Sequence, residues 1–349
     1  MSTIAVNAIT DANGGNTTSI NNTTPNVNNV VGKNLIINGA MRIDQHNAGS
    51  AVTGITISTS AFIVDRFKMV NQTDGQVTAQ QSTTAPDGFT NSFYATVTTP
   101  DSSIGSTQYT QISQRIEGNN ISHLDWGTSN AKDVTLSFWV RSSLTGTYGV
   151  GVYNYNGSYC YFSDVTINAA DTWEKKTVTI EGPTSGTWYT DNLLGLEFHI
   201  SLGTGSSYQG TADAWTTSSF IVASSNQANW IGTSGATFYL TGVQLEVGES
   251  ATEFEHRPYT TEYQLCQRYL ENIGVDTSAA LWSGYGATVN YVNWQFKVEK
   301  RAIPTISGAV QGSAGGSYVT HALRYTTGSA YAAFGYNGSY SPVYADAEL

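Results

Sequence analysis

Apolar and polar residues alternate through much of the chain between residues 34 and 256, which is typical of β-strands that bury one face. In one such stretch Leu136, Phe138 and Val140 are separated by single residues that would point to the opposite face. Strands separated by turn residues are predicted at 93–97, 109–116, 134–140, 148–155, 159–165, 173–180, 194–202 and 238–247. This pattern predicts an all-β fold, an antiparallel jelly-roll β-sandwich.

The strand predicted at 238–247 contains a break in its alternation. Phe238 and Leu240 alternate with polar residues, whereas Val243 and Leu245 continue the pattern one residue out of step. A one-residue slip turns every following side chain to the other face of the sheet. We therefore predict a β-bulge at Gly242, because glycine tolerates the backbone of a bulge.

A short helix is predicted after Pro258, where the β pattern ends. Thr261 and Gln264 have the spacing of a capping box, and apolar residues recur at helical spacing through 265–273. Gly274 would end the helix in a left-handed conformation. We interpret the helix as a boundary between two β domains.

Four parts of the chain are predicted. Residues 1–33 are rich in Asn and Thr, residues 34–256 form the jelly roll, residues 257–274 the helical connector, and residues 275–349 a smaller C-terminal β domain. One copy of the first segment cannot bury enough apolar surface to fold alone. It is either a disordered polar tail or a set of strands that three copies complete in a symmetric oligomer.

Composition and charge argue against several classes of function. Of the 349 residues, 40% are hydrophobic, which suffices for a core, and only 12% are charged. The net charge of −11 argues against binding to nucleic acid or to an anionic membrane surface. No apolar run approaches the roughly 20 residues that a membrane-spanning helix needs, so we expect no membrane insertion. No signal peptide is expected at the start of the chain.

The two cysteines, Cys160 and Cys266, lie far apart and share no motif. Small buried side chains are the simplest interpretation, and a disulfide between them remains the alternative. So few cysteines fit assembly in a reducing cytoplasm.

No motif of a catalytic or metal site is found in the sequence. The five histidines are scattered without the spacing of metal ligands. Asp65 and Arg66, adjacent at a predicted strand end, are expected to form a structural ion pair. Glu253, Glu255 and Glu262 are interpreted as a solvated face, since glycosidase chemistry needs two carboxyl groups about 5–10 Å apart in a cleft. We therefore predict a protein without catalytic or metal-ligating residues.

The first group of candidate binding residues flanks an Asn-Gly turn and consists of Tyr153, Tyr155, Tyr159 and Tyr161. A three-residue turn would place all four on one face of a hairpin, whereas a two-residue turn would scatter them. Grouped rings would form a subunit contact or a platform for sugar rings, whose C–H faces pack on aromatic rings. Cross-strand pairs that only stabilise the sheet are the alternative.

The second group lies among the Gly, Ser and Ala residues near the end of the chain and consists of Tyr318, Tyr325, Tyr331, Tyr336 and Tyr340, with Tyr344 close by. Tyrosine combines apolar area with a hydroxyl group at low entropic cost, which suits recognition. Ordinary strand packing is the alternative. This part has the fewest large aliphatic residues of any predicted β segment, so surplus tyrosines are harder to bury. We expect them to bind a ligand.

Both ends of the predicted jelly roll carry further motifs. The opening reads Lys-Asn-Leu-Ile-Ile-Asn-Gly-Ala-Met-Arg-Ile at 33–43, followed by Asp-Arg-Phe at 65–67. The closing segment contains Leu-Thr-Gly-Val-Gln-Leu-Glu-Val at 240–247, Phe-Glu-His-Arg-Pro-Tyr at 254–259 and Leu-Cys-Gln-Arg-Tyr at 265–269. In this order the two ends resemble bacteriophage tail-fibre and receptor-binding proteins.

The resemblance implies a non-enzymatic virion protein, made in the host cytoplasm, that attaches the phage to host-surface polysaccharide or lipopolysaccharide. It also implies a homo-oligomer, with a trimer expected, whose residues 1–33 bind other tail or capsid proteins and whose C-terminal tip meets the host. Two alternatives remain. One is a purely structural virion protein, such as a collar, adaptor or capsid-surface decoration, and the other is a polysaccharide depolymerase.

The predicted sandwich also resembles jelly-roll carbohydrate-binding modules, which open with Asn-Leu and an Asn-Gly turn and close on a Val-x-Leu strand. Those modules often hold a structural calcium ion through a carboxylate soon after the opening turn. Here Met41 and Arg42 stand where an aromatic residue and a glutamate would be expected. Asp44 and Glu246 are then the nearby oxygen ligands for such an ion. No other cofactor is expected.

Overall fold

The computed structural model describes residues 32–154, 156, 158–217, 220–272, 290–307, 329–334 and 344–349. Within these ranges two six-stranded antiparallel sheets pack face to face as a jelly-roll sandwich. A nine-residue helix and a smaller β part follow. The predicted fold class is confirmed: an all-β, antiparallel jelly-roll β-sandwich followed by one short helix and a smaller C-terminal β part. Among the described helices, none combines the length and the apolar character needed to cross a membrane.

The strands are numbered in chain order. They are β1 (Val52–Ile55), β2 (Thr59–Val64), β3 (Phe67–Asn71), β4 (Gln76–Ser82), β5 (Ser92–Thr99), β6 (Tyr109–Glu117), β7 (Val134–Ser142), β8 (Gly146–Asn154), β9 (Tyr159–Ile167), β10 (Glu174–Ile180), β11 (Leu194–Thr204), β12 (Thr237–Val247), β13 (Leu270–Asn272), β14 (Asn290–Gln295), β15 (Thr305–Ser307), β16 (Ser329–Phe334) and β17 (Tyr344–Asp346). The α-helices are α1 (Gly118–Ile121) and α2 (Tyr259–Gln267), and short 3-10 turns lie at Ser122–Leu124, Ser206–Tyr208 and Trp230–Gly232.

The chain crosses repeatedly between the two sheets, as in a jelly roll. The first sheet has the order β1-β4-β5-β12-β7-β10, and the second has the order β2-β3-β6-β11-β8-β9. The long strands β12 and β11 are therefore internal, each with a partner on both sides. β9 and β10 are edge strands of opposite sheets and lie beside each other at the same side of the sandwich.

The core lies between the inner faces of the sheets and follows the predicted alternation. Leu136 and Phe138 on β7 face Phe198 and Ile200 on β11 across it, and all four are at most 1% exposed. Burying one such side chain contributes roughly 1.5–3 kcal/mol relative to leaving it in water. One continuous apolar core fills the sandwich.

The predicted bulge in β12 is confirmed. Thr241 lies opposite Trp139 and Gln244 lies opposite Ser137, so β12 carries one extra residue between these two pairs. Gly242 has a φ of +61°, which is the left-handed region that favours glycine. The apolar residues after the bulge thereby return to the core.

The opening and closing motifs contact each other in the fold. The Asn34 side chain donates to the carbonyl of Val243 at 3.1 Å and accepts from the amide of Leu245 at 3.0 Å. Arg257 donates to the carbonyl of Ile36 at 3.1 Å. These bonds tie the start of the sandwich to its last strand, so the motif residues form one structural unit.

The predicted capping box of α2 is wrong. The helix begins two residues before Thr261, with Pro258 at the N-cap, and no side chain caps it. Proline lacks the N–H that a first helical turn leaves unpaired, and its fixed φ suits a helix start.

The helix also ends earlier than predicted, at Gln267 rather than near Gly274. The reason is tertiary: the chain after it forms β13, which pairs with β17 in a three-stranded sheet completed by β15. Strand pairing with a distant segment therefore overrides the local helical spacing of the apolar residues.

Asp65 and Arg66 do not form the predicted ion pair with each other. They are the two residues of the tight turn between β2 and β3. The Asp65 carboxylate accepts bonds from the backbone and the side chain of Gln45, both at 2.6 Å. Arg66, with a φ of +72°, binds Glu348 instead and lies over the ring of Tyr269, 3.4 Å from its centroid. The turn directs the two charged groups to different neighbours.

Both cysteines are buried, which agrees with their interpretation as small core side chains. The Cys160 sulfur accepts a bond from the amide of Ile221 at 3.3 Å, and burial raises the pKa of its thiol to about 11. Burial also raises the pKa of the Cys266 thiol.

Candidate functional site

The hairpin between β8 and β9 does not group the four candidate tyrosines on one face. Its strands end at Asn154 and restart at Tyr159, which pair with each other, so four residues form the connection. Tyr153 lies opposite Cys160, and Tyr161 lies opposite Val152. An even-numbered connection gives the scattered arrangement, because neighbouring strand residues point to opposite faces. Tyr155 lies outside the described residues.

Two of these tyrosines, Tyr159 and Tyr161, belong to a larger aromatic group with Trp126, Trp188 and Trp215. We call these five residues the tryptophan cluster. The three indole rings have centroids 4.8, 5.6 and 5.8 Å apart and meet edge to face. The Tyr161 ring lies 5.5 Å from that of Trp215, and the Tyr159 ring 6.1 Å from that of Trp188.

Each indole of the cluster is held by a backbone carbonyl. Trp126 donates to the carbonyl of Lys132 at 2.7 Å, and Trp215 donates to that of Glu181 at 2.8 Å. Trp188 makes a longer bond of 3.4 Å within its own loop. With their N–H groups engaged, the three rings are held in a fixed arrangement in which Trp126 is buried and Trp188 and Trp215 are partly exposed. A ring that is already fixed lowers the entropic cost of binding a ligand.

Two glycines let the loops of the cluster approach each other. Gly127 has a φ of +86°, and a Cβ there would lie 2.5 Å from the carbonyl oxygen of Gly186. Gly186 has a φ of +101°, and a Cβ there would lie 2.7 Å from the ring of Tyr159. Any larger residue at either position would push the aromatic rings apart.

A groove opens beside the cluster, between the edge strands β9 and β10. Its volume is about 510 Å³, and it is lined by Asp133, Tyr161, Thr179, Glu181, Asp213, Ala214, Trp215 and Glu249. A second depression of about 410 Å³ adjoins it through Thr179 and Asp213, and hydroxyl groups of Ser163, Thr166 and Thr177 are among its lining. An aromatic wall beside many hydroxyl and carboxylate oxygens suits a polyhydroxylated ligand.

The charge of the groove is negative. Asp133 accepts a bond from the amide of Gly182 at 2.8 Å, and Asp213 accepts one from the Ser163 hydroxyl at 2.5 Å. Burial raises the pKa of Tyr161, so this phenol is neutral at physiological pH. Apart from this phenol, every titratable side chain that lines the larger groove is a carboxylate.

Tyr153 belongs to a different aromatic group on the outer face of the second sheet. Its ring lies 5.1 Å from that of Phe220, which also contacts Tyr109 at 5.0 Å and Tyr208 at 5.5 Å. Close to them is His199, fully buried, whose pKa burial lowers to about 3. This face is packed rather than open, so we do not place the candidate site there.

The second group of candidate tyrosines belongs to the C-terminal part of the chain. Tyr318, Tyr325, Tyr336 and Tyr340 lie outside the described residues. The backbone of Tyr331 lies in β16, opposite Asn293, and Tyr344 begins β17. The prediction that these residues bind a ligand stays a prediction.

The two carboxylates suggested for calcium are engaged by the protein itself. Asp44 accepts bonds from the amides of Asn47 and Gly49 at 2.8 and 2.7 Å, which closes a turn. Glu246 accepts from the amide and hydroxyl of Thr252 at 2.8 and 2.6 Å. Both carboxylates therefore have hydrogen-bond partners within the protein. In the described ranges no three His, Cys, Asp or Glu side chains group as metal ligands.

Trp126, Trp188 and Trp215 are absent from the candidate site residues that the sequence suggested. These indoles come from three separate loops. A possible signal was the placement of tryptophans beside glycines outside the predicted strands, at Trp126-Gly127 and Gly186-Thr187-Trp188. Their convergence depends on the loops of both sheets meeting at one end of the groove.

Fold and site together define a jelly-roll β-sandwich protein with an acidic groove at its edge, beside the tryptophan cluster. No protein family matches the sequence, and no curated protein shows significant similarity to it. The structure is similar to an enzymatically active domain of a tailspike protein of bacteriophage CBA120, with 12% identity and a TM-score of 0.32. That match covers 62% of this chain and 22% of the tailspike chain.

Bacterial sugar-binding structures show similarity of the same size. A putative sugar-binding protein from Bacteroides thetaiotaomicron matches with 13% identity and a TM-score of 0.33, covering 62% of this chain and 100% of that one. A xylan-binding module of Paenibacillus barcinonensis matches with 11% identity and a TM-score of 0.25, covering 59% of this chain and 99% of that one. At these values neither ligand nor activity transfers to this protein.

Proposed function

We propose that the protein binds glycans without cleaving them, as a tail-fibre or receptor-binding protein of a bacteriophage virion. The observation that carries the proposal is the tryptophan cluster beside the groove between β9 and β10. Tyr159, Trp188 and Trp215 are partly exposed, whereas Trp126 and Tyr161 are buried. The indole N–H groups are held by backbone carbonyls. Aromatic faces kept in place at the edge of a polar groove are the arrangement that stacks on sugar rings.

The virion role rests on the resemblance of the two motif ends, which the fold joins into one unit. In this proposal residues 1–33 attach the protein to other tail or capsid proteins, and residues 34–256 form a glycan-binding head. Residues 257–274 connect it to a tip formed by residues 275–349. Three copies would present three grooves, and several weak contacts on one polysaccharide would then combine into strong attachment.

A polysaccharide depolymerase is the second candidate, because four carboxylates line the groove. Paired carboxyl groups in a cleft are what glycoside hydrolysis requires. The two candidates differ in one measurement. Incubation with host capsule or lipopolysaccharide should release no reducing ends if the protein only binds, and steady release would replace our proposal with the enzymatic one.

The test of glycan binding uses the purified full chain on an array of bacterial surface oligosaccharides. Trp215→Ala should weaken binding about tenfold or more, because Trp215 lines the groove and losing one stacking ring removes about 1.4 kcal/mol or more. Trp173→Ala is the matched control: this half-buried indole contacts Tyr239 on the first sheet, outside the groove. The control should bind as the unchanged protein does.

Equal binding by Trp215→Ala and the unchanged protein would overturn the assignment of the groove. The mass of the purified assembly tests the trimer in the same preparation. Both substitutions should leave that mass unchanged, because both rings are partly exposed rather than fully buried in the core.

A further inference from the structure

The groove beside the tryptophan cluster is lined by negatively charged side chains, and this negative charge affects which sugars it can bind. Asp133, Glu181, Asp213 and Glu249 line it together with Tyr161 and Trp215, and no lysine or arginine does. Lys176 lines the adjoining depression, where Glu174 binds its ammonium group at 2.5 Å. A ligand in the larger groove therefore meets carboxylates that no basic side chain of its lining offsets.

Two of these acidic residues, Asp213 and Glu181, lie close to Trp215. Asp213 precedes it by two residues, and its side chain is oriented by the Ser163 hydroxyl at 2.5 Å. Glu181 holds the indole through its own backbone carbonyl at 2.8 Å. Both side chains are exposed, so each can reach a ligand stacked on the ring.

We propose that this groove binds glycans that carry free, protonated amino sugars, and that Asp213 and Glu181 are the residues that set this preference. The inference rests on the proposed glycan binding and names its substrate class. An ammonium group on a stacked pyranose would lie between an aromatic face and two carboxylates, and both attract a cation. A uronate, sulfate or phosphate in the same place would be repelled by every titratable carboxylate of the lining.

Three tetrasaccharides of equal length differ in their charge. A glucosamine tetrasaccharide carries amines, an N-acetylglucosamine tetrasaccharide has the same rings without charge, and a glucuronate-containing tetrasaccharide is anionic. The amine form should bind at least about fivefold more tightly than the acetylated form at low salt, and the anionic form most weakly. The difference should shrink as salt rises, because exposed charges are screened.

The experiment measures the affinity of the full chain for these three tetrasaccharides by calorimetry. The double variant Asp213→Asn with Glu181→Gln should lose the preference for amines and keep its affinity for the acetylated form. The control variant carries Asp74→Asn and Asp87→Asn, two exposed residues in turns next to β4, which is separated from β10 in the first sheet. It removes the same charge and should keep the preference.

The possible results separate the preference for amino sugars from glycan binding itself. Equal affinity for the amine and acetylated forms, or tightest binding of the anionic form, overturns the inference while glycan binding itself stands. An equal loss of preference in the control variant also overturns it, because the preference would then come only from the net charge of −11. No binding of any of the three, together with a blank array, overturns the proposed function as well.

Discussion

Gly242→Ala tests whether the bulge in β12 sets the register of the central strand. Gly242 has a φ of +61°, and a Cβ there would lie 2.7 Å from Cζ of Phe89 and 3.0 Å from Cδ1 of Trp139. The left-handed backbone costs a residue with a Cβ about 1–2 kcal/mol. Moving two ring edges away from their preferred rotamers adds about 0.5–1.5 kcal/mol. We expect the free energy of unfolding to fall by about 2–3 kcal/mol.

Gly235→Ala is the matched control, because Gly235 has a φ of +72° but a Cβ there would meet no heavy atom within 4 Å. It should carry only the backbone cost, so the difference between the two variants isolates the contact with Phe89 and Trp139. Urea unfolding followed by tryptophan fluorescence gives both values. A third variant, Phe89→Ala combined with Gly242→Ala, should recover part of the difference.

Equal losses for Gly242→Ala and Gly235→Ala would show that Phe89 does not restrict the bulge. A loss below about 0.5 kcal/mol at Gly242 would refute the register argument as a whole, since it would mean that the strand tolerates a Cβ in this conformation. Either result would also remove the physical reason for a glycine at the break in the alternation.

Three further predictions follow from buried groups. Arg66→Met should lower the free energy of unfolding by about 3–5 kcal/mol, because it leaves Glu348 buried without its partner; a loss near zero in urea unfolding would contradict this. His199 has a folded pKa of about 3, below its ordinary 6.5, so stability should decline as pH falls from about 6.5 towards 3, and His199→Leu should flatten that decline in thermal unfolding at each pH. Cys160 and Cys266 are buried thiols with raised pKa values, so a thiol reagent should label neither in the folded protein and both in urea, whereas rapid labelling without urea would refute their burial.

The sequence pattern correctly predicted those elements that depend on the residues next to them in the chain. Alternation predicted the internal strand β7, because a strand with one buried face must alternate with period two. The same reasoning located the bulge at Gly242, since only an extra residue returns Val243 and Leu245 to the core. The motif ends were recognised from their residues, yet the bonds from Asn34 that join them could be seen only in the fold.

The predictions from the sequence were wrong where contacts with a distant segment of the chain determined the local structure. The spacing of apolar residues favoured helix up to Gly274, but pairing with β17 turned Leu270–Asn272 into a strand. Adjacent charges at 65 and 66 suggested a pair, but the turn sends Arg66 to Glu348, which is 282 residues away. In both cases the competing contact cannot be read from a window of neighbouring residues.

The sequence by itself determined that this is a β protein with an acidic surface, a polar start and a bulged closing strand. These properties depend on composition and on the period of side chains along one strand. Only the tertiary structure decided the site. Trp126, Trp188 and Trp215 come from three loops, and they meet because the crossover of the chain brings the edge strands β9 and β10 of opposite sheets to one side of the sandwich.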